Sequence, residues 1–356
     1  MPQSVRWILQ SSWMTRGPLA RLLWPLAKLY GVAVSLRRWL FERGLLGSER
    51  ARVPVIVIGN VVAGGAGKTP LVIALVRRLQ AAGRQPGVVS RGYGRDNDAC
   101  MEVSPALNAS MCGDEPLLIR RSTGVPVFVA RRRMDAVRAL LSAHPRTDLV
   151  ICDDGMQHYA LQRDLNILVF DERGIGNGWL LPAGPLREPW PARAKDQAPS
   201  GPGAVAPRNL VLHTGQLPAF EGFKSSRSLA ATAHAADGRS VSLDDLRGES
   251  LVAVAAIANP QAFFTMLRQR GLTLTKTIPL ADHASFDGEP LWDPGQRVLC
   301  TEKDAVKLFG RYPCAGLQLL AVPLVFTPEP AFMQAFDEQV GRLVSPLPST
   351  HGHQTS

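Results

Sequence analysis

The chain has 356 residues, 46% hydrophobic and 20% charged. That is enough apolar material for about two folded units, and too much for a disordered chain. Five cysteines (Cys100, Cys112, Cys152, Cys300, Cys314) include no C-x-x-C pair, which argues against a disulfide scaffold or zinc ribbon and suits a reducing compartment. The net charge of +10 is uneven: residues 1–52 hold nine Lys/Arg against two Glu, and the rest of the chain is nearly neutral.

Residues 1–46 form a basic, apolar arm with four of the seven tryptophans, Trp7, Trp13, Trp24 and Trp39. Leu19, Leu22, Leu23, Leu26 and Tyr30 fall on one helical face, with Arg21 and Lys28 opposite. This is the pattern of an amphipathic helix lying in an anionic membrane surface. Charges interrupt the arm too often for the roughly 20 apolar residues of a spanning helix. No clean apolar core leads to a small-residue cleavage site, so a signal peptide fits badly. Pro25 should kink or restart the helix. The alternative is a helix packed on the protein's own core. The arm is too apolar to track nucleic-acid phosphates.

Val53 to Ile58 is a β-branched run that predicts a buried strand. Gly59 to Pro70 follows, then a helical stretch from Leu71 to Ala82 closed by Gly83. Strand, glycine loop, Lys-Thr and helix is the setting of a P-loop. Val62, Ala63, Gly64, Gly65, Ala66, Gly67, Lys68 and Thr69 form the expected nucleotide cradle, with backbone N–H groups turned toward phosphate. Lys68 would reach the β- and γ-phosphates and the Thr69 hydroxyl a Mg²⁺ ion. The first glycine of G-x-x-x-x-G-K-[ST] is replaced by Val62, so the loop is a variant.

Asp148 to Asp153 is an apolar strand ending in Asp153-Asp154, as in a Walker B element. One carboxylate would serve metal and the other a loop or substrate group, unless both only cap a turn. Gln157 and His158 extend this site. Asp114, in Gly113-Asp114-Glu115-Pro116, reads from spacing alone as a helix N-cap. Ser90-Arg91-Gly92-Tyr93-Gly94 follows an apolar strand, at the end where ligands bind in open α/β sheets. Asp164 to Asp171 is another strand. The Gly/Pro-dense segment from Gly176 to Pro189 holds Arg187 and Glu188, candidates for phosphate and metal or else a structural ion pair.

Together these segments resemble the tetraacyldisaccharide 4'-kinase family. The matching stretches are Gly59-Asn60 through Thr69-Pro70, Ser90 to Gly94, Gly113 to Pro116, Asp153-Asp154-Gly155-Met156-Gln157-His158, Leu181 to Pro189, Asp282-His283 and Thr301 to Lys307. The resemblance implies transfer of the ATP γ-phosphoryl group to the 4'-hydroxyl of a membrane-held acylated glucosamine disaccharide 1-phosphate, giving lipid IVA in lipid A biosynthesis. It implies Asp114 and His283 as a paired base and Lys68 as a further catalytic group. Thr69, Asp154, Gln157 and Glu188 would serve Mg²⁺ and ATP. Arg91, Asp153, His158 and Arg187 are left for the substrate. Met156 and Tyr159 stand where the family usually has an aromatic and a basic residue.

The expected fold class is α/β: a P-loop NTPase-like, doubly wound core over 47–235, a smaller α/β domain over 236–335, the helical arm over 1–46 and a disordered tail over 336–356. The Pro/Ala/Gly-rich stretch 191–207 reads as a surface loop. Leu251 to Ile257, Thr273 to Pro279 and Arg297 to Thr301 read as strands, with a helix after Asn259-Pro260. The expected location is the cytoplasmic face of the bacterial inner membrane, with no obligate protein partner evident. A membrane-associated switch or partitioning ATPase, which would need neither a sugar-binding loop nor Asp114 with His283, and a P-loop ligase for a soluble carboxylate are the competing readings.

Overall fold

The computed structural model describes residues 11–191, 208–215, 218, 220–312 and 315–344; the expected loop from 192 to 207 and the chain from 345 onward lie outside them. In chain order the elements are α1 (Pro18–Glu42), β1 (Val55–Gly59), α2 (Lys68–Ala81), β2 (Pro86–Ser90), β3 (Met101–Glu102), α3 (Ala109–Cys112), α4 (Asp114–Thr123), β4 (Val127–Val129), α5 (Arg133–Ala143), β5 (Leu149–Asp153), β6 (Leu165–Phe170), β7 (Arg208–His213) and β8 (Phe223–Leu229). They continue with β9 (Thr232–His234), β10 (Ser240–Ser242), β11 (Leu251–Ala255), α6 (Pro260–Gln269), β12 (Leu274–Pro279), β13 (Arg297–Thr301), α7 (Glu302–Arg311), β14 (Leu319–Val322), β15 (Leu324–Pro328) and α8 (Pro330–Val344). This is a mixed α/β fold built on two largely parallel sheets.

The larger sheet runs β15-β8-β7-β6-β1-β5-β2-β4-β3, parallel from β8 to β4 with antiparallel edges. Every residue of β1, β2, β5 and β6 is buried, because helices cover both faces and such strands read as unbroken apolar runs. The pleat sorts β1 by alternation. Ile56 and Ile58 pack with Leu71 and Leu75 of α2, while Val55 and Val57 pack with Met134 and Leu140 of α5. Strand β1 lies between β5 and β6, where the strand order switches and a crevice opens at the carboxyl ends. Its Ile58 is in register with Asp153, so the Asp153-Asp154 pair emerges beside the start of the glycine loop.

The smaller sheet runs β10-β9-β14-β13-β11-β12, parallel from β14 to β12. The expected C-terminal boundary is wrong. After β14 the chain returns to the larger sheet: β15 pairs with β8, and α8 buries Phe332, Phe336 and Val340 in that sheet's core. The segment 336–344 is therefore helical, because a four-residue apolar spacing seats it on a face that only the larger sheet supplies.

Helix α1 also departs from expectation. It runs unbroken through Pro25, whose ring is on the exposed side, where water can satisfy the carbonyl it leaves free. Ala20 and Ala27 are buried against the body, but Leu22 is 75% exposed, Leu29 67% and Val32 66%, with Leu26, Leu36 and Trp39 also exposed. By length and composition α1 is long and apolar enough to cross a membrane, despite its interrupting charges.

Phe336→Ala should lower unfolding stability by about 3–5 kcal/mol, the usual cost of an emptied aromatic site. Urea denaturation checks this; a loss below about 1 kcal/mol would mean that α8 is not part of the core.

Candidate active site

The glycine loop joins β1 to α2 and is held by neighbours rather than by its own length. Asn60 Nδ2 donates to the Gly64 carbonyl at 3.0 Å, and Lys68 Nζ donates to Asn60 Oδ1 at 3.4 Å. Gly64 and Gly67 have φ of 106° and 77°, left-handed values that tolerate glycine best. The Ala63 amide donates to the Pro185 carbonyl at 2.8 Å, and the Arg187 amide donates to the Val61 carbonyl at 2.7 Å. Buried Val62 bridges to Leu186. The expected cradle therefore divides: Val62 and Ala63 are tied to the 180–187 segment, and Gly64 to Thr69 remain to face a ligand. Arg173 donates to the Ala63 and Gly65 carbonyls, and Arg227 to that of Ala66, so guanidinium groups hold the loop from its carbonyl side.

Asp154 has φ of 50°, a strained value for a non-glycine residue. Its carboxylate lies 3.3 Å from Lys68 Nζ and 3.7 Å from Arg187 Nη1. Burial pushes its carboxyl up, but the Lys68 and Arg187 charges outweigh this and hold it below the ordinary range. Asp153 is 1% exposed, and among the described residues neither carboxylate oxygen has a hydrogen-bond partner. Burial, then the charges of Glu115 and Asp154, push its carboxyl up to about 7. Such an orphan is costly unless a cation or proton meets it.

Glu188 and Gln157 occupy each other. Gln157 Nε2 donates to Glu188 Oε1 at 2.7 Å and to the Asn60 carbonyl at 3.2 Å, and the Tyr159 hydroxyl donates to Glu188 Oε2. His158 stands apart from its expected substrate role. Its Nε2 accepts the Arg133 amide at the start of α5, and burial with four nearby arginines lowers its pKa to about 4. Arg91 is exposed on the loop after β2. Arg187 reaches Asp154 and also Gln157 Oε1.

The second cluster spans both sheets' units. Gly113, with φ of 93°, is the N-cap of α4, and Asp114 is the first helical residue, so the N-cap reading of Asp114 does not hold. Asp114 is 3% exposed. Its carboxylate accepts from His283 Nδ1 at 2.9 Å and from the Glu115 amide at 2.9 Å, and lies 3.1 Å from the Lys307 ammonium as an ion pair. Burial alone would push this carboxyl up; the His283 hydrogen bond and the Lys303 and Lys307 charges hold it well below the usual range. Lys303 Nζ lies 3.1 Å from Glu115, 3.2 Å from Asp282 and 3.3 Å from His283 Nε2. The exposed Tyr93 ring is 5.3 Å from that of His283. The two clusters meet through the loop after β11. The His283 amide donates to the Ala256 carbonyl at 3.2 Å, and a Cβ on Gly65 would come within 2.9 Å of Ala258.

The sequence reading assigned no role to Lys303, Lys307, Asn60, Arg173 or Arg227. The family-matching stretches Gly59-Asn60 and Thr301 to Lys307, and the four-residue spacing of Lys303 and Lys307 on a short helix, marked the first three; nothing in the sequence marked Arg173 or Arg227.

A glycine loop with its lysine, facing a buried carboxylate–imidazole pair from across two α/β units, defines an enzyme of phosphoryl transfer. The family model for tetraacyldisaccharide-1-P 4'-kinase matches residues 19–341. A tetraacyldisaccharide 4'-kinase of Polaromonas sp. is 62% identical over 97% of this chain and 99% of its own. One of Acidovorax sp. is 53% identical over 95% of each chain. A crystal structure of LpxK from Aquifex aeolicus in complex with ATP, 27% identical, superposes with a TM-score of 0.75 over 92% of this chain and all of the other. The chain belongs to the tetraacyldisaccharide 4'-kinase family.

A depressed carboxyl stabilises the fold above its unfolded pKa, here 3.8, and that contribution is lost as pH falls through the lower folded value. Asp114→Asn should therefore lower the Tm at pH 7, and its gap to the parent chain should narrow below about pH 4. Thermal melts across pH check this; a gap constant with pH would remove the charge from the explanation.

Proposed function

We infer that this chain transfers the γ-phosphoryl group of ATP to the 4'-hydroxyl of a tetraacylated glucosamine disaccharide 1-phosphate, yielding ADP and lipid IVA. The observation that carries the reading is the Asp114–His283 pair, joined across two units and linked by the β11–α6 loop to the glycine loop. The sugar oxygen attacks the γ-phosphorus as the bond to the β-phosphate oxygen breaks. The hydroxyl proton passes to Asp114, which His283 orients. Positioning and charge stabilisation supply most of the rate. Lys68 and the N–H groups of Gly64 to Thr69 meet the phosphates, and Arg187 stands ready for substrate charge. Arg91 is left at the cleft mouth for the sugar phosphate.

The Thr69 hydroxyl and the Asp153 and Asp154 carboxylates make a hard-oxygen donor set. The unpartnered Asp153 carboxylate fits Mg²⁺, which uses few protein ligands and completes its shell with phosphates and water. That reading moves Asp153 from the substrate to the metal and leaves Gln157 and Glu188 behind it as support. When bound, the ion neutralises phosphate charge. Helix α1 brings this cleft to the inner-membrane surface, where its exposed leucines and tryptophans enter the interface and the acyl chains stay in the bilayer.

With radiolabelled ATP and the disaccharide 1-phosphate in detergent micelles, label should enter the lipid. Lys68→Ala should lower that rate by at least about 100-fold, as expected for lost transition-state charge stabilisation. Label released only to water would favour a switch ATPase. Removing residues 1–46 should weaken sedimentation with anionic vesicles, and unchanged sedimentation would take the arm out of membrane binding.

A further inference from the structure

The segment Thr301 to Lys307 carries no task in the reaction above, yet its polar side chains are fully committed. Thr301 caps α7 by accepting from the Asp304 amide, and Asp304 accepts the Ala256 amide that precedes the carbonyl holding His283. Lys303 presents three ammonium protons to three acceptors: Glu115 Oε1, Asp282 Oδ1 and His283 Nε2. Lys307 donates to the His283 carbonyl at 3.2 Å and the Ala284 carbonyl at 3.1 Å, and forms an ion pair with Asp114 Oδ2 at 3.1 Å. An ammonium group has donors and no acceptor. The nitrogen that Lys303 meets must therefore accept, so His283 Nε2 carries no proton and the ring proton sits on Nδ1, aimed at Asp114. His283 itself has φ of 66°, a strained backbone that persists only where its surroundings fix it.

We propose that Lys303 and Lys307 are positioning residues for the proton transfer: Lys303 keeps the His283 proton on Nδ1 by occupying Nε2, and Lys307 clamps the His283 backbone against Asp114. The proposal rests on the kinase reading and deepens it. With Nε2 capped, a proton leaving the sugar hydroxyl has one destination, the Asp114 carboxylate. Without Lys303, Nε2 opens to a second proton. The resulting imidazolium would compete with the incoming proton for Asp114. Neither lysine contacts the glycine loop, so ATP binding should be spared.

The test uses full-length protein in micelles with the disaccharide 1-phosphate, together with ¹⁵N-histidine NMR. Lys303→Ala should lower kcat at least about 10-fold, a part of the range that acid–base catalysis contributes, with KM for ATP changed less than about 2-fold. Added ethylammonium should restore kcat several-fold in Lys303→Ala, and not in Lys303→Met, where the side chain fills the space. Wild-type His283 should show a proton on Nδ1 and none on Nε2 at neutral pH, and Lys303→Ala should show both nitrogens protonated. Lys307→Ala should lower kcat without amine dependence of the His283 signals. Three results would overturn the proposal: a wild-type proton on Nε2, an undiminished kcat in Lys303→Ala, or a loss that amine does not restore while the Nδ1–H form persists. If Lys303→Ala does not fold, the wild-type spectrum decides alone. Failure of the kinase reading is separate, seen as a wild-type enzyme that moves no phosphate to lipid.

Discussion

Everything in the cleft depends on a charge cluster buried between α4 and α7. Burying one ion costs several kcal/mol, repaid only when its protons and lone pairs are all met. Asp114 and Glu115 come from the larger sheet's unit; Asp282, His283, Lys303 and Lys307 come from the smaller one. Either half alone would leave charged groups without partners. The cluster therefore joins the units, and it holds His283 in a backbone conformation that its own chain disfavours.

The glycine loop follows the same logic with neutral groups. Its carbonyls are met by Asn60, Arg173 and Arg227, and its first residues are stitched to the 180–187 segment. What stays open is the run from Gly64 into the first turn of α2, where the amides and the helix dipole favour negative charge. These contacts fix the loop from within the protein, and under the proposed function such oriented dipoles would aid a transition state. Tyr159, at a position usually basic in the family, acts here by holding Glu188.

Elements whose identity is written locally could be read from the sequence. Strands β1, β5 and β6 are unbroken apolar runs because both faces are covered, and the glycine loop and Asp153-Asp154 sit at their ends. The pairing of Asp114 with His283 came through resemblance alone; spacing favoured a helix cap, and only a contact 169 residues apart decides otherwise. The return of β15 and α8 to the first sheet was illegible for a related reason. The apolar spacing of Phe332, Phe336 and Val340 announces a buried face, not which sheet buries it. His158, beside Gln157 in sequence, engages the Arg133 amide at the start of α5 through its Nε2. Val62 shows the converse: its departure from the glycine pattern was plain, and its bridge to Leu186 supplies the reason.

The docking of α1 has one more consequence. The Tyr30 hydroxyl donates to the Arg187 carbonyl at 3.0 Å, and the Arg187 amide donates in turn to Val61 at the root of the glycine loop. Trp13 and Arg16 fasten the arm's start to the same segment. Under the proposed seating of the arm in a membrane interface, the distance from lipid headgroups to the glycine loop would be a built-in height, set by one residue's two backbone groups. A lipid substrate at that level would then meet the cleft without leaving its leaflet, in a search over two dimensions rather than an extraction into water.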